Sequence, residues 1–184
     1  MSHIRFGKME TERLLLRRFK ESDADAFLKY RTDPEVALYQ GEGWMNYTME
    51  QSADFVKEQM NSEPGMADTW FQIAIELKET KDLIGDCAIH TLEDTNQVEI
   101  GFTINQMHQH KGFGIEAVKC LLDYIFNDLN KHRVIARTDV RNINSIKLLK
   151  KIGMRQEGHF IKNAWYNGEY TDEFLFAMLK DEWL

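Results

Sequence analysis

Cysteine is scarce in this chain: there are two, Cys87 and Cys120, in 184 residues. Neither has a partner at a metal-site spacing, so the pair speaks against a disulfide framework and a metal centre and fits free thiols in a reducing cytoplasm. Long apolar runs are missing as well. No stretch reaches the roughly 18 apolar residues of a membrane-crossing helix. Residues 1–12 are polar, carry three basic side chains and lead into no apolar segment. A cytoplasmic protein with no membrane partner is expected. Positive charge is also in deficit, 23 lysines and arginines against 30 aspartates and glutamates, for a net charge of −7. That balance argues against nonspecific binding to nucleic acid, whose affinity rests on many basic contacts to phosphate. An acidic surface is either simply solvated or draws cationic partners such as polyamines, aminoglycosides and basic protein termini. No repeat, low-complexity tract or linker divides the chain. At 43% hydrophobic content it can bury one substantial core, and residues 1–184 are expected to form a single domain.

The pattern along the chain predicts an α/β architecture of the α+β kind. Residues 11–19 read as a strand around Leu14, Leu15 and Leu16, after which Ser22 or Asp23 caps an amphipathic helix through Ala26, Phe27 and Tyr30. Asp33-Pro34 interrupts, and Gln40-Gly41-Glu42-Gly43 makes a loop. Thr48 with Gln51 three residues on is a capping box for a helix through Phe55, Val56 and Met60. Residues 70–77, 83–92 and 97–104 read as strands joined by turns too short for crossovers, hence an antiparallel meander. Ile115, Val118, Leu122, Ile125 and Leu129 recur at helical spacing, and residues 133–140 follow as a strand, so a right-handed parallel crossover is expected there. A helix over 144–152 ends at Gly153, and strands over 160–165 and 170–179 flank the hairpin signal Asn167-Gly168.

Between the strand ending at Ile104 and the helix from Ile115 lies Gln109-His110-Lys111-Gly112-Phe113-Gly114. A helix start carries unpaired backbone N–H groups and the positive end of the macrodipole, which together stabilise an anion. Gly112 and Gly114 have no Cβ to stand between those amides and a pyrophosphate, and both can take backbone angles closed to other residues. Lys111, and His110 when protonated, add positive charge. The stretch therefore reads as a phosphate cradle.

This arrangement resembles the acetyl-CoA loop of the GNAT superfamily of N-acetyltransferases, whose signature is Gln or Arg, two residues, Gly, one residue, then Gly or Ala. A second block, Asn142-Ile143-Asn144-Ser145 followed by Leu148-Leu149 and Lys151-Ile152-Gly153-Met154, falls where that superfamily has an Asn after its fifth strand and a helix ending in Gly-Phe. Asn167-Gly168-Glu169-Tyr170 with Asp172, and Thr11-Glu12-Arg13-Leu14-Leu15-Leu16-Arg17 at the front, are similar to the branch that acetylates ribosomal-protein N-termini. The resemblance implies a single-domain acyl-CoA N-acyltransferase fold. That fold would have a mixed sheet of six to seven strands, a meander then a parallel crossover, helices on both faces and a C-terminal hairpin. It implies acetyl-CoA as cosubstrate, no metal, and an amine acceptor, a protein N-terminus such as that of a ribosomal protein; net charge and aromatic content alone add a small polycationic amine as the other candidate. The chain is a monomer or a homodimer on this reading.

The resemblance also assigns residues. Backbone of Phe102, Thr103 and Ile104 would meet the pantetheine amides and thioester oxygen; Gln109, His110, Lys111, Gly112, Phe113, Gly114 and Ile115 would hold the pyrophosphate; Asn142 would hydrogen-bond the cosubstrate. Many members protonate the leaving thiolate with a Tyr seven residues beyond that Asn, but Leu149 stands there. Ser145 matches a serine proposed for the job in the ribosomal branch; alternatively it hydrogen-bonds backbone in the first helical turn. Glu99 is the candidate base, its carboxyl raised by burial between Val98 and Ile100, or else a binding anion or a solvent-facing glutamate. Trp165 replaces the glutamate that the ribosomal branch has ahead of its hairpin. His90, His108 and His110 are further base candidates or plain surface and core residues. Trp44, Tyr47 and Trp70 either wall an acceptor pocket, where aromatic faces suit a cationic amine, or belong to the core. Two other readings stay open. One is a noncatalytic acetyl-CoA-binding module. The other is an NAD-binding oxidoreductase, since Gly112-Phe113-Gly114-Ile115-Glu116-Ala117 with Asp139 follows the dinucleotide fingerprint. Against the second, seven residues separate Ile104 from Gly112.

Overall fold

A computed structural model describes residues 5–40, 43–166 and 168–183. Eight strands form one sheet: β1 (Lys8–Glu10), β2 (Leu14–Arg17), β3 (Thr69–Leu77), β4 (Leu83–Thr91), β5 (Gln97–Ile104), β6 (Arg133–Asp139), β7 (Arg155–Tyr166) and β8 (Glu169–Leu179). Their spatial order is β1-β2-β3-β4-β5-β6-β8-β7. All neighbours are antiparallel except β5 and β6. The meander and the single parallel crossover expected from the sequence are both present. Six to seven strands were expected and there are eight, because the short, largely exposed β1 adds an edge that carries no apolar alternation. The first half of β7 is likewise polar and exposed, so only its end was legible as strand.

Helices cover both faces. On one face lie α4 (Phe113–Asp123), which runs on as a π-helical turn over Tyr124–Asp128, and α5 (Ile143–Lys151). They pack on Leu16, Ile73, Cys87, Ile100 and Phe176 in the larger core. On the other lie α1 (Ala24–Arg31) and α3 (Met49–Asn61), joined through the short α2 (Pro34–Ala37) and packed around Phe19, Phe27, Tyr30, Val56 and Ala74. The stripe anticipated on α4 is the one it buries: Val118, Leu122 and Ile125 are inaccessible to solvent. At about 1.5–3 kcal/mol for each large apolar side chain buried, such a stripe fixes the helix N-terminus in place relative to β5.

Local signals acted as expected at some caps and not at others. Thr48 and Gln51 form the capping box of α3, with N–H to oxygen distances of 3.2 and 2.9 Å. Asp23 does not cap α1. Its carboxylate accepts from the backbone N–H of Lys20 and from two nitrogens of Arg17, because a buried guanidinium demands that acceptor more strongly than a helix end reachable by water. Asn167 and the Gly41-Glu42 pair lie outside the described residues. Gly168 has φ +87°, and Tyr166 pairs with Glu169, so the C-terminal hairpin closes where its turn signal stands. Among the described residues no helix is long and apolar enough to cross a membrane.

Candidate active site

The parallel pair opens a gap in the sheet. β5 pairs with β6 only over Gln97 to Glu99 against Arg133 to Ile135, while β5 continues to Ile104 and β6 to Asp139. Asn105 donates its N–H to Ile84 O on the β4 side, and backbone groups alternate in direction along a strand. Those of Phe102 and Ile104 therefore face the gap, where β6 has already diverged. Ile104 O is taken by Gln109 Nε2 at 2.9 Å, so Gln109 braces the loop against the strand end with its side chain.

Beyond it the loop turns into α4. His110 has φ 60° and Gly112, at the N-cap, φ +84°. Gly114 is helical, so the left-handed freedom expected of both glycines is used only at Gly112. What Gly114 contributes is space: a Cβ there would lie 3.0 Å from Leu148 Cδ1 of α5 and 3.6 Å from Ile104. The N–H groups of Phe113, Gly114 and Ile115 belong to the first turn, which has no intrahelical acceptors. Glu116, in that same turn, would oppose an incoming phosphate, and the chain's front end neutralises it. Arg13 bonds Glu116 Oε2 through Nε at 2.7 Å, Thr11 Oγ1 donates to Oε1 at 2.5 Å, and Arg13 Nη1 holds Lys111 O at 3.0 Å. The Arg13 guanidinium also sits 4.4 Å above the Phe113 ring. Burial alone would raise the Glu116 carboxyl, but these bonds outweigh it and hold it below the usual range. This strap was not read from the sequence, since its ends lie about a hundred residues apart.

α5 starts at the far wall of the gap. Asn142 is its N-cap, Oδ1 accepting from Ser145 N at 3.1 Å, and among the described residues Nδ2 makes no hydrogen bond. The Ser145 hydroxyl makes no bond to backbone among the described residues, and Ser145 lines a cavity of about 650 Å³. That cavity collects Phe102, Thr103, Ile104, Gln109, His110, Gly112, Gly114, Ile115, Asn142 and Ser145. Lys111 and Phe113 do not line it; one presents its carbonyl to Arg13 and the other packs into the core. Three unanticipated basic residues do: Arg141, Lys147 and Lys151. The i, i+4 spacing of the two lysines after Asn142 was the available signal. Arg141 is committed to Asp139 and Glu169, which also occupies the aspartate on which the dinucleotide reading relied.

A second cavity, of about 860 Å³, opens on the α1 and α3 face. Trp44, Phe55, Glu58, Glu63, Trp70 and Asp86 are among its walls, and it meets the first at Gln40, Phe102 and Thr103, which line both. Tyr47 packs on Trp44 at 4.8 Å rather than lining the cavity. Asp86 is buried and paired, taking Arg31 Nη2 at 2.7 Å and Tyr30 OH at 2.5 Å. His90 stacks on Trp70 at 4.7 Å and reaches Asp68. Glu99, cross-strand from His90, lies on this face but lines neither cavity. Burial raises its carboxyl, against the pull of Arg137, 3.8 Å away. Beyond it a buried Glu173 accepts from Asn163 and Tyr166, and burial beside that carboxylate pushes the Tyr166 phenol to about 12. His108 is lowered by burial and by Lys111. Cys87 and Cys120 are free, both raised by burial, Cys120 to about 11. Among the described residues no group of three or more His, Cys, Asp and Glu is placed to hold a metal ion.

Comparison with known proteins agrees with this geometry. The Acetyltransferase (GNAT) domain matches residues 13–155. The chain is 36% identical over 173 residues to the uncharacterized N-acetyltransferase YnaD of Bacillus subtilis (strain 168), covering 94% of this chain and 97% of that one. Among solved structures, an acetyltransferase of the GNAT family from Bacillus anthracis superposes with a TM-score of 0.85 at 31% identity, over 95% of this chain and 99% of the other. The spermidine N-acetyltransferase of Vibrio cholerae, solved with CoA and spermine, shares the fold with a TM-score of 0.81 at 21% identity, over 94% and 99%.

Proposed function

This chain belongs to the GNAT family of acetyltransferases, and from that premise we propose that it moves an acetyl group from acetyl-CoA directly to an amine held in the second cavity. One observation carries the reading: a cavity with a phosphate-type end and a cavity with aromatic and acidic walls meet at Gln40, Phe102 and Thr103. The residues fit acetyl-CoA. The first turn of α4 offers amides and a macrodipole to a pyrophosphate, the absent Cβ of Gly114 lets Leu148 of α5 pack close against that turn, and Lys147 and Lys151 supply charge. In the gap, the backbone of Phe102 and Ile104 replaces a missing strand partner with the amides of an extended ligand arm.

Acetyl-CoA brings a thioester whose carbonyl carbon takes the amine's lone pair. The protein's residues handle the rest. Trp44, Trp70 and Glu58 hold a cationic amine, and Glu99 takes a proton from the nitrogen through water, which a carboxyl raised by burial does better than an ordinary one. Ser145, which lines the first cavity, gives the departing sulfur a proton. A cationic amine sheds one proton to solvent to become nucleophilic and a second, after attack, to Glu99, while sulfur takes one from Ser145. The protein ends the cycle unchanged once Glu99 releases its proton to solvent and Ser145 recovers its own, with one proton set free overall. The test is thiol release from acetyl-CoA with spermidine and with short peptides bearing free N-termini. We expect turnover with at least one of these cationic amines. Tight acetyl-CoA binding with no release above background for either class would support a noncatalytic binding module instead.

A further inference from the structure

Direct transfer has to happen where the two cavities meet, and among the three residues shared there Gln40 supplies the one side-chain amide. Its orientation is determined. Gln40 Oε1 accepts from Arg31 Nη1 at 2.7 Å and from Thr103 Oγ1 at 3.3 Å. A guanidinium only donates, so the atom facing it must be oxygen, and Nε2 is turned away from that pair. Among the described residues Nε2 makes no hydrogen bond, while Gln40's backbone N–H is anchored on Ala37 O at 3.1 Å. The support behind it is rigid. Arg31 is buried, paired with Asp86, which also takes the Tyr30 hydroxyl, and lies 4.5 Å from the Trp44 ring. A charge on the acceptor side polarises an amide and strengthens its N–H donors.

We propose that Gln40 is a catalytic residue whose Nε2 donates to the thioester oxygen as it becomes an oxyanion. As the nitrogen–carbon bond forms, the carbonyl pair moves onto oxygen, where Gln40 meets it; the pair returns as the carbon–sulfur bond breaks and sulfur departs with its bonding electrons. The assignment rests on the acetyl-transfer reading above. A donor already held in place by Asp86 and Arg31 loses no freedom at the moment of reaction, which is what makes such groups effective.

The experiment compares wild type with Gln40→Glu and Gln40→Met. The first keeps an oxygen for Arg31 and Thr103, so the network and the fold survive; the second removes acceptor and donor alike without adding charge; thermal melts follow both. We expect kcat to fall about a hundredfold in each. The acetyl-CoA dissociation constant from calorimetry should stay within about threefold, less than one lost neutral hydrogen bond would shift it. The infrared stretch of acetyl-CoA labelled with 13C at the carbonyl should move to higher frequency in the bound Gln40→Met variant, since a donor has been taken from the oxygen. Wild-type kcat and an unmoved stretch in a folded Gln40→Met variant would overturn the assignment. A wild-type chain that binds no acetyl-CoA would overturn the acetyl-transfer reading and this assignment with it.

Discussion

The two faces of the sheet solve different problems with different materials. On the α4 and α5 side the site is backbone, glycine and a helix end laid on a large apolar core. On the α1 and α3 side the apolar cluster is small, and a buried ionic network carries the structure instead: Arg17 with Asp23 and Glu76, and Arg31 with Asp86 and Gln40. Backbone recognition reads a ligand's shape and charge whatever the neighbouring side chains are, so that face suits an invariant cosubstrate. Side-chain networks set distance and direction for a particular reacting group, so the other face suits the selection of an acceptor. The comparison teaches that losses on one face should leave the other face's readout intact.

The largest separation comes from charge on the backbone face. Gly112→Asp with Gly114→Asp adds two negative charges at the phosphate end and also strains the left-handed Gly112 and crowds Leu148. Like charges brought together cost several kcal/mol, so acetyl-CoA affinity should drop about a thousandfold by calorimetry. On the ionic face, Arg17→Met leaves Asp23 buried without its cation and Glu76 with only the more exposed Lys20 ammonium, 3.4 Å away. Urea unfolding should show a loss of about 3–5 kcal/mol, with acetyl-CoA affinity of the folded fraction unchanged. Ser145→Ala should lower kcat about a hundredfold at unaltered acetyl-CoA affinity if the hydroxyl supplies the thiolate's proton. Arg13→Ala sharpens the contrast within one face. By freeing Glu116 at the phosphate end it should raise KM for acetyl-CoA about tenfold, the worth of one charged hydrogen bond, yet leave KM for acetyl-pantetheine, which has no pyrophosphate, where it was.

The smallest effect is on pH dependence. Burial, partly opposed by Arg137, raises the Glu99 carboxyl, and a base must be unprotonated to act. Activity should rise with pH through a value above the ordinary carboxylate range, and Glu99→Gln should remove that limb. The same raised pKa favours the protonated folded state. Glu99's contribution to stability is therefore full below the ordinary glutamate range and lost as pH rises through its folded value.

How far the sequence could be read follows the same division. The stripe on α4 and the Thr48 capping box are local, set by residues within a turn or two of one another, and each forms as its pattern requires; the loop from Gln109 turns into α4 at a left-handed Gly112, while Gly114 is helical. Asn142 was singled out by its place in a motif, and in the structure it caps α5. What escaped is long-range. Arg31 reaches Asp86 across 55 residues and Gln40 reaches Thr103 across 63, and no periodicity records such pairs. The Arg13 strap spans 103 residues to Glu116. Polar edge strands were missed for a different reason: β1 and the first half of β7 are paired on one side and wet on their surfaces, so they carry no alternation to detect.

Initial rates measured over a grid of acetyl-CoA and amine concentrations test most directly that transfer occurs where the two cavities meet. Both substrates bound at once give double-reciprocal lines that intersect, which is the pattern predicted here. Parallel lines, the mark of an acetylated protein formed before the amine arrives, would contradict it.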